Sequence, residues 1–428
     1  MEVFFMQNKQ GWKLFLTLPV LSWALYDFAN TIFSSNITTI FFPFYVQEVA
    51  GGDERLDQIA STFLSYANAV SSFFLVLFSP LFGVWIDRSG RKKRYVAAFA
   101  LAAIVCTALM GLVAPQNFGL FGGLPAAFAV VVVLFVAAKF FYQSSLIFYD
   151  AMLPDIGTKE TMPLLSGFGV AVGYMGTLVG LTVYPLVSDG HYADAFLPTA
   201  ILFLIFTMPM MFLYKETPGP ALDKRPFFAG YRDVLDTFKE MRHYRPIFLF
   251  MIVYFFINDA IATAIAMMAV YAKAIVGFTS GEFILLYLVS TVSSIIGSFI
   301  FGYITKAVGA KKSVFYVGFI LFSALLLGTF AINQAMFWVT GSLFGVALGA
   351  VWVTSRIFII ELSPEDKRGQ FFGLFAFSGK LSAIAGPLMY GTITLVLADY
   401  GNIASRTALA SLMLFVLIGL FIHRKIPE

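Results

Sequence analysis

Long apolar runs separated by short polar segments repeat along the whole chain. Twelve of these runs are long enough to cross the roughly 30 Å of hydrocarbon in a bilayer. Their predicted bounds are 17–46, 62–86, 95–114, 126–149, 163–187, 195–214, 246–272, 282–304, 313–332, 335–357, 371–396 and 405–423. The pattern therefore predicts an all-α membrane protein with twelve transmembrane helices.

The composition agrees with this pattern and excludes several classes of protein. Of 428 residues, 59% are hydrophobic and 12% are charged, whereas a soluble protein carries about 25% charged residues. Packing in water could not hide so much apolar surface. We therefore exclude a soluble enzyme, a disordered regulator and a nucleic-acid-binding domain, and we expect membrane lipids and a small-molecule substrate as partners.

Motifs for enzymatic or cofactor chemistry are missing from the sequence. One cysteine, Cys106, excludes a disulfide framework and a thiolate metal cluster, and the three histidines lie at the ends of apolar runs or between them. The chain has no phosphate-binding GxxxxGK[ST] loop and no nucleophile elbow. We expect no metal, no cofactor, no enzymatic activity and no direct use of ATP.

The distribution of lysine and arginine predicts the orientation of the chain. With both termini in the cytoplasm, the cytoplasmic segments hold 22 of the 28 Lys and Arg residues, and the external loops hold 3. Positive residues accumulate on the cytoplasmic side of membrane proteins. We predict a multi-pass protein of the cell membrane with both termini cytoplasmic.

A long polar stretch, 215–245, divides the twelve spans into six and six. Tyr231, Val234, Leu235, Phe238 and Met241 recur in it at helical spacing, which predicts an amphipathic helix on the inner leaflet. A plain tether between two halves is the alternative. The predicted domains are an N-terminal six-helix bundle (1–214), this linker (215–245) and a C-terminal six-helix bundle (246–428).

The two halves also repeat short motifs. FGVWIDRSGRKK after span two matches FGYITKAVGAKK after span eight at an offset of 219, and SSLIFYDAMLPD matches TSRIFIIELSPE at an offset of 210. Two matches at corresponding places indicate a duplicated bundle. Duplicated halves related by an axis along the membrane normal place a substrate site between them near the midplane.

The first of these motifs resembles the loop signature of the major facilitator superfamily. Its matching positions are Gly83, Asp87, Arg88, Gly90, Arg91 and Lys92, and the second copy departs from the signature with Lys306 in place of the acid. The resemblance implies that the motif is a cytoplasmic latch, in which Asp87 faces a helix N-terminus and Arg88 and Arg91 bridge to acids such as Asp150. A basic cluster that only enforces topology is the alternative.

A narrower resemblance covers nearly the whole chain. The stretches SWALYDFANTIF (22–33), IFYDAMLPDI (147–156) and FFGLFAFSGKLSAIAGPLMYG (371–391) resemble the Atg22-like vacuolar effluxers and their bacterial relatives. The resemblance implies two pseudo-symmetric six-helix bundles that work by alternating access, a monomeric chain and a role in amino-acid efflux.

Glycines mark two of the predicted spans. Span five carries the pairs Gly169/Gly173 and Gly176/Gly180, and span eleven carries Gly386 before Pro387. Small residues four positions apart favour close helix contact. Packing alone and a moving seam between halves are both compatible with this pattern.

Charged residues inside the spans are the candidate functional residues, because they are costly in a bilayer. Asp27 and Asp259 lie near the middle of spans one and seven, Lys139 lies in span four and Arg356 in span ten. In the family resembled, these four helices line the central cavity. Lys380, in span eleven, is the exception.

We predict that Asp27 and Asp259 either couple transport to protons or cations or anchor a substrate amine, and that Lys139 anchors a substrate carboxylate. A buried carboxyl group can exchange a proton near neutral pH. The alternative is a static Asp27–Lys139 pair that only fixes packing. Neighbouring polar and aromatic side chains extend the candidate site: Asn30, Asn258, Tyr26 and Tyr142.

The sequence thus predicts a proton-coupled secondary active transporter of a small solute. Two other readings stay open. One is an exporter of lipids, amphiphiles or drugs, and the other is a membrane scaffold or receptor that transports nothing.

Overall fold

The computed structural model describes residues 13–50, 54–121, 124–187, 191–216, 227–239 and 243–427, and these residues are nearly all helical. The first half contains α1 (Leu18–Phe33), α2 (Phe42–Ala50), α3 (Glu54–Ser89), α4 (Lys92–Val113), α5 (Ala126–Asp150), the short α6 (Leu153–Ile156), α7 (Met162–Gly180) and α8 (Phe196–Phe212). A two-residue hairpin, β1 (Leu120–Phe121) with β2 (Leu124–Pro125), precedes α5.

The second half repeats this succession. It contains α9 (Gly230–Lys239), α10 (Arg245–Val276), α11 (Ser280–Val308), α12 (Ala310–Thr329), α13 (Gln334–Leu362), α14 (Arg368–Val396) and α15 (Asn402–His423). In the described part of the chain, eleven helices are long and apolar enough to cross a membrane. The remaining predicted span, 17–46, falls on the helical segment that starts with α1.

A π-helical turn interrupts that first segment. Ser34–Phe41 joins α1 to α2 without a break in the helix, and Thr39 Oγ1 donates to the Ser34 carbonyl at 3.0 Å. The Asn36 amide donates to the Gly180 carbonyl (2.8 Å) and to Thr199 Oγ1 (3.1 Å). Thr39 thus bonds to the backbone of the turn itself, whereas Asn36 connects the turn to other parts of unit 1. Because the helix continues through the turn, residues 18–50 form one long helical segment, in agreement with the one unusually long predicted span.

The chain divides into two compact units. Unit 1 comprises residues 1–156 and 172–224, and unit 2 comprises residues 157–171 and 225–428. The first part of α7 therefore belongs to unit 2 and the second part to unit 1. The predicted division at 214 and 246 stays a prediction.

Helix α9 lies in the segment that the sequence assigns to an amphipathic helix. Val234 is buried and Leu235 is exposed, as expected for a helix with two unlike faces. Gln370, at the start of α14, donates to the Asp233 carbonyl at 2.9 Å and so fixes α9 within unit 2. Met241, at the end of the predicted pattern, lies outside the described residues.

Glycines let helices of unit 2 pack closely. Gly345 and Gly349 of α13 lie against the backbone of α11, and a Cβ at either position would overlap the carbonyl of Ser290 or Ser294. Ser294 Oγ donates to the Gly345 carbonyl at 2.8 Å. Such close approach is typical of small residues spaced four apart in membrane helices. It brings the backbones of α11 and α13 into direct contact.

Candidate functional site

Asp259 lies in the middle of α10 and is fully buried in unit 2. Its Oδ1 accepts a hydrogen bond from the backbone amide of Gly386 at 2.8 Å. Its Oδ2 is buried and has no hydrogen-bond partner among the described residues. A buried carboxyl group with one unsatisfied oxygen is costly, so its retention needs a reason other than stability.

Gly386 of α14 provides the space for this carboxyl group. A Cβ at this position would lie 2.7 Å from Asp259 Oδ1 and would overlap Thr263 Oγ1. The next residue, Pro387, has no N–H and cannot form its own helical hydrogen bond. Helix α14 is therefore locally weakened at the point where Asp259 contacts it.

Thr263 stands one helical turn after Asp259, on the same face of α10. Its Oγ1 is buried and has no hydrogen-bond partner among the described residues. The Asp259 carboxyl and the Thr263 hydroxyl therefore both lie against Gly386. We call Asp259, Thr263 and Gly386 the unit 2 acid cluster.

Asn258 joins the same two helices beside this cluster. Its Nδ2 donates to the Gly379 carbonyl at 2.9 Å and to Ser382 Oγ at 2.8 Å. Further along, Ser378 Oγ donates to the Met251 carbonyl at 2.9 Å. These bonds set the register of α10 against α14, and that register determines which α14 residue faces Asp259.

Unit 1 contains a matching cluster around Asp27 in α1. A Cβ at Gly173 of α7 would lie 2.9 Å from Asp27 Oδ2 and 3.4 Å from Thr31 Oγ1. Thr31 Oγ1 donates to the Asp27 carbonyl at 2.9 Å. We call Asp27, Thr31 and Gly173 the unit 1 acid cluster.

The two clusters share one arrangement. Each has an aspartate, a threonine four residues later and a glycine of a second helix against both. Sequence reasoning identified the two acids and missed the threonines and the glycine contacts. The shared spacing Asp-x-x-x-Thr, at 27–31 and at 259–263, was the available signal.

Other predicted residues of unit 1 lie in its interior. Tyr26 is fully buried and donates to Ser145 Oγ at 2.6 Å. The Tyr142 ring packs on Phe33 with 4.9 Å between centroids, and Asn30 is buried. Their contacts are those of a tightly packed helix interface beside Asp27.

Lys139 is buried in α5, and its Nζ donates to Asn68 Oδ1 of α3. In unit 2, Arg356 is buried in α13 and donates to Ser166 Oγ at 3.4 Å. Both cations are thus held in part by neutral oxygens.

Lys380 of α14 is partly buried and forms no ion pair or hydrogen bond with any described residue. Sequence reasoning set it aside because span eleven is not among the helices expected to line the cavity. Its position inside a membrane span makes it a candidate as well.

The loop motif forms the connection between α3 and α4. Gly90 has a positive φ of 58°, and its N–H donates to the Ile86 carbonyl at 3.0 Å. A left-handed turn of this kind ends a helix without strain when the residue is glycine. Lys92 binds both carboxylate oxygens of Asp155 at 2.8 Å.

Gly83 and Arg88 of the motif are buried, and Asp87 is half-buried. The bridges expected from Arg88 and Arg91 to acids such as Asp150 stay a prediction.

Across the described ranges, no group of three or more His, Cys, Asp or Glu residues could hold a metal ion. The chemistry that the two acid clusters offer is proton or cation exchange.

Comparisons with known proteins show to which family the chain belongs. The model of the family described as "Vacuole effluxer Atg22 like" matches residues 19–426. The "Uncharacterized MFS-type transporter YxiO" of Bacillus subtilis is 25% identical over 95% of this chain and 94% of its own length. "Autophagy-related protein 22" of Yarrowia lipolytica is 26% identical over 60% of this chain and 49% of its own length.

Solved structures show the same architecture. An outward-facing bacterial homologue of the iron transporter ferroportin aligns over 95% of this chain and 98% of its own, with a TM-score of 0.72 and 16% identity. The major facilitator transporter FucP aligns over 97% of this chain and 100% of its own, with a TM-score of 0.71 and 13% identity. The chain therefore has the major facilitator fold and belongs to the Atg22-like family of transporters.

Proposed function

We propose that this transporter couples the movement of a small organic solute to protons, and that Asp27 and Asp259 are the coupling groups. One observation carries the proposal: each unit contains an aspartate packed against a threonine and a glycine within its membrane helices. Ionisable residues inside a bilayer are rare and are typical of proton or ion pathways.

The Asp259 contact suggests how a proton would change the protein. An ionised Asp259 accepts strongly from the Gly386 N–H, because hydrogen bonds to charged groups are about twice as strong as neutral ones. Protonation weakens that bond at the residue before Pro387. A proton would therefore alter how firmly α10 holds the weakened region of α14, which is the kind of bistable element that alternating access requires.

The proposed substrate class is amino acids, exported from the cytoplasm. Support comes from the family description, which names an effluxer, and from the cations in the spans. Lys139 is the proposed anchor of the solute carboxylate, and Lys380 is a second candidate for the same role. Asn258, Asn30, Tyr26, Tyr142 and Arg356 stay proposed members of the site.

An exporter of amphiphiles is the second candidate. A groove of about 260 Å³ between α10 and α14 is walled by apolar side chains, among them Phe248, Phe255 and Leu381. An acyl chain or aromatic drug suits such walls better than a free amino acid.

The test uses purified protein in liposomes that enclose a pH-sensitive dye. Amino acids and amphiphiles are added one at a time, with and without an imposed pH gradient. We expect gradient-dependent flux of at least one amino acid, and a loss of about tenfold or more in Asp27→Asn and in Asp259→Asn. Asp236→Asn, which removes an exposed acid of α9, is the matched control and should leave the flux unchanged.

The outcomes separate the candidates. Flux of amphiphiles alone would replace the amino-acid proposal, and flux that survives both aspartate substitutions would remove the coupling assignment. A protein that moves no solute under any condition would favour the scaffold or receptor.

A further inference from the structure

A cavity of about 860 Å³ opens within unit 2, away from the acid cluster. It lies where α12 begins and where α13 and α15 end. The polar and aromatic side chains that matter for its chemistry are Lys311, Lys312, Phe315, Glu361, His423 and Arg424. By the predicted orientation, this end of the bundle is cytoplasmic.

The cavity is positively charged. Lys311, Lys312 and Arg424 face one acid, Glu361. None of the three cations forms an ion pair with a residue in the described part of the chain. Arg424 instead lies over the Phe315 ring, 6.0 Å from its centroid. Three unneutralised cations around one cavity attract an anion.

The start of α12 adds to this charge. The helix begins at Ala310 after Gly309, which has a φ of 87° and provides no side-chain cap. The first N–H groups of a helix have no partner within the helix, and the helix dipole is positive at this end. A helix start of this kind, beside lysines, suits the oxygens of a phosphate group.

A buried histidine supplies an independent indication of a ligand. His423 is only 4% exposed, and its ring lies between Phe315 and Phe358, with 6.1 and 6.2 Å between centroids. Its Nε2 is buried and has no hydrogen-bond partner among the described residues, and the His423 side chain lines the cavity. Buried polar atoms are normally satisfied, so a polar group in the cavity is expected at this nitrogen.

In unit 1, the helix that corresponds to α12 is α4, and an acid of the chain accepts a hydrogen bond from a backbone N–H at its start. In the repeated motif, Lys93 of α4 corresponds to Lys312 of α12. The Lys93 N–H donates to Glu216 Oε1 at 2.8 Å, and Lys93 Nζ donates to the Tyr214 carbonyl at 2.5 Å. A carboxylate of the chain itself therefore occupies the anion position at the start of α4.

Among the described residues of unit 2, no acid accepts from the first N–H groups of α12 in this way. The residues after α8 include Tyr214 and Glu216, whereas those directly after α15 are Arg424 and Lys425. Positive side chains follow α15 at this point, and one of them, Arg424, lines the cavity. An anion from outside the chain would restore the arrangement seen in unit 1.

We propose that this cavity binds a phosphate-bearing ligand. The phosphate oxygens lie at the start of α12 between Lys311, Lys312 and Arg424, and a hydroxyl or phosphate oxygen of the ligand contacts His423 Nε2. The rings of Phe315 and Phe358 cover the apolar part of the ligand. Two sources carry this chemistry, an anionic phospholipid headgroup and a soluble phosphate compound.

The experiment compares two double variants of equal charge. Lys311→Gln/Arg424→Gln removes two cations of the cavity, whereas Lys306→Gln/Lys425→Gln removes two nearby exposed cations that do not line it. One arm measures retention of phosphatidylglycerol against phosphatidylcholine by native mass spectrometry. The other titrates delipidated protein with inorganic phosphate against chloride of equal ionic strength and follows thermal unfolding.

We expect the cavity variant to bind one of the two probes about tenfold or more weakly than wild type, because it loses two charge-assisted contacts. The control variant should stay within about twofold, since exposed charges contribute little. Selective retention of phosphatidylglycerol identifies a lipid, and stabilisation by phosphate without lipid retention identifies a soluble ligand.

Three results overturn the proposal: equal binding by wild type and the cavity variant, equal losses in both double variants, and a wild-type chain that binds neither probe. Should the double variant fail to fold, Arg424→Gln alone provides the same comparison with Lys425→Gln, because both side chains are exposed.

Discussion

The two acid clusters have the same residue types and differ in how deeply each aspartate is buried. Asp259 is fully buried and fixed by the Gly386 N–H at 2.8 Å, whereas Asp27 is half-buried beside Gly173. The same pattern in two duplicated units has therefore diverged. The unit 2 acid is positioned by the backbone of a neighbouring helix, and the unit 1 acid keeps more access to its surroundings.

This difference in burial suggests that the two aspartates have different roles. A half-buried acid exchanges protons more readily, and a fully buried one responds more strongly to the charge it carries. We expect Asp27 to be the more accessible proton acceptor. Asp259 would be the group whose protonation changes the contact between α10 and α14.

Replacing the glycine of each acid cluster with alanine should have the largest effect on the free energy of unfolding. At Gly386 the new Cβ would press on Asp259 Oδ1 at 2.7 Å and overlap Thr263 Oγ1. We expect Gly386→Ala to lower the free energy of unfolding by about 2–4 kcal/mol, from overpacking and the disturbed hydrogen bond. Gly173→Ala should cost less, about 1–2 kcal/mol, because the half-buried Asp27 can move aside.

Thermal unfolding of the purified protein checks this order. Gly391→Ala is the control, since a Cβ at that position in α14 meets nothing within 4 Å. It should be neutral or slightly stabilising, because alanine favours a helix over glycine. Equal losses at Gly173 and Gly386 would remove the difference between the clusters.

Much of the fold could be predicted from the sequence, because a bilayer imposes a strong pattern on hydropathy. The all-α class and the family resemblance are confirmed, and eleven of the twelve predicted spans fall on helices of the described residues that are long and apolar enough to cross a membrane. Asp27 and Asp259 could be singled out for the same reason, as charges are rare in apolar runs. The π-helical turn at 34–41 has no hydropathy signature and was missed.

The contacts within the site could not be predicted. Which α14 residue faces Asp259 depends on the register between two helices more than 120 positions apart, and that register is set by bonds such as Asn258 to Ser382. Hydropathy says nothing about register. For the same reason the sequence did not show that Lys139 bonds to Asn68, or that a cavity lies beside His423.

A smaller effect is expected where the units differ at the start of α4 and α12. Glu216→Gln replaces the carboxylate that accepts from the Lys93 N–H with a neutral amide oxygen. Because burial disfavours the charge of Glu216, the net change in the free energy of unfolding near neutral pH should be no more than about 0.5 kcal/mol. No corresponding acid of the chain caps α12 among the described residues. A larger loss in the free energy of unfolding would mean that the Glu216 carboxylate contributes more to the stability of unit 1 than one hydrogen bond at a helix start.

The pKa of Glu216 predicts how the difference in stability between wild type and Glu216→Gln depends on pH. Burial raises the pKa of Glu216 above its ordinary 4.5, and Asp155 acts in the same direction, against the Lys93 N–H and the charges of Lys92 and Lys93. The folded chain then binds a proton more readily than the unfolded chain. The stability of wild type relative to Glu216→Gln should fall as pH rises from 4.5 through the raised pKa, and a difference that is flat with pH would contradict this.

The central claim is that each unit holds a carboxyl group that gains and loses a proton within the membrane. Infrared spectroscopy of the protein in liposomes, titrated from about pH 4 to about pH 9, detects the carbonyl stretch of protonated carboxylic acids. The account predicts two titrating bands, one absent in Asp27→Asn and the other absent in Asp259→Asn. Spectra in which neither substitution removes a titrating band would contradict it.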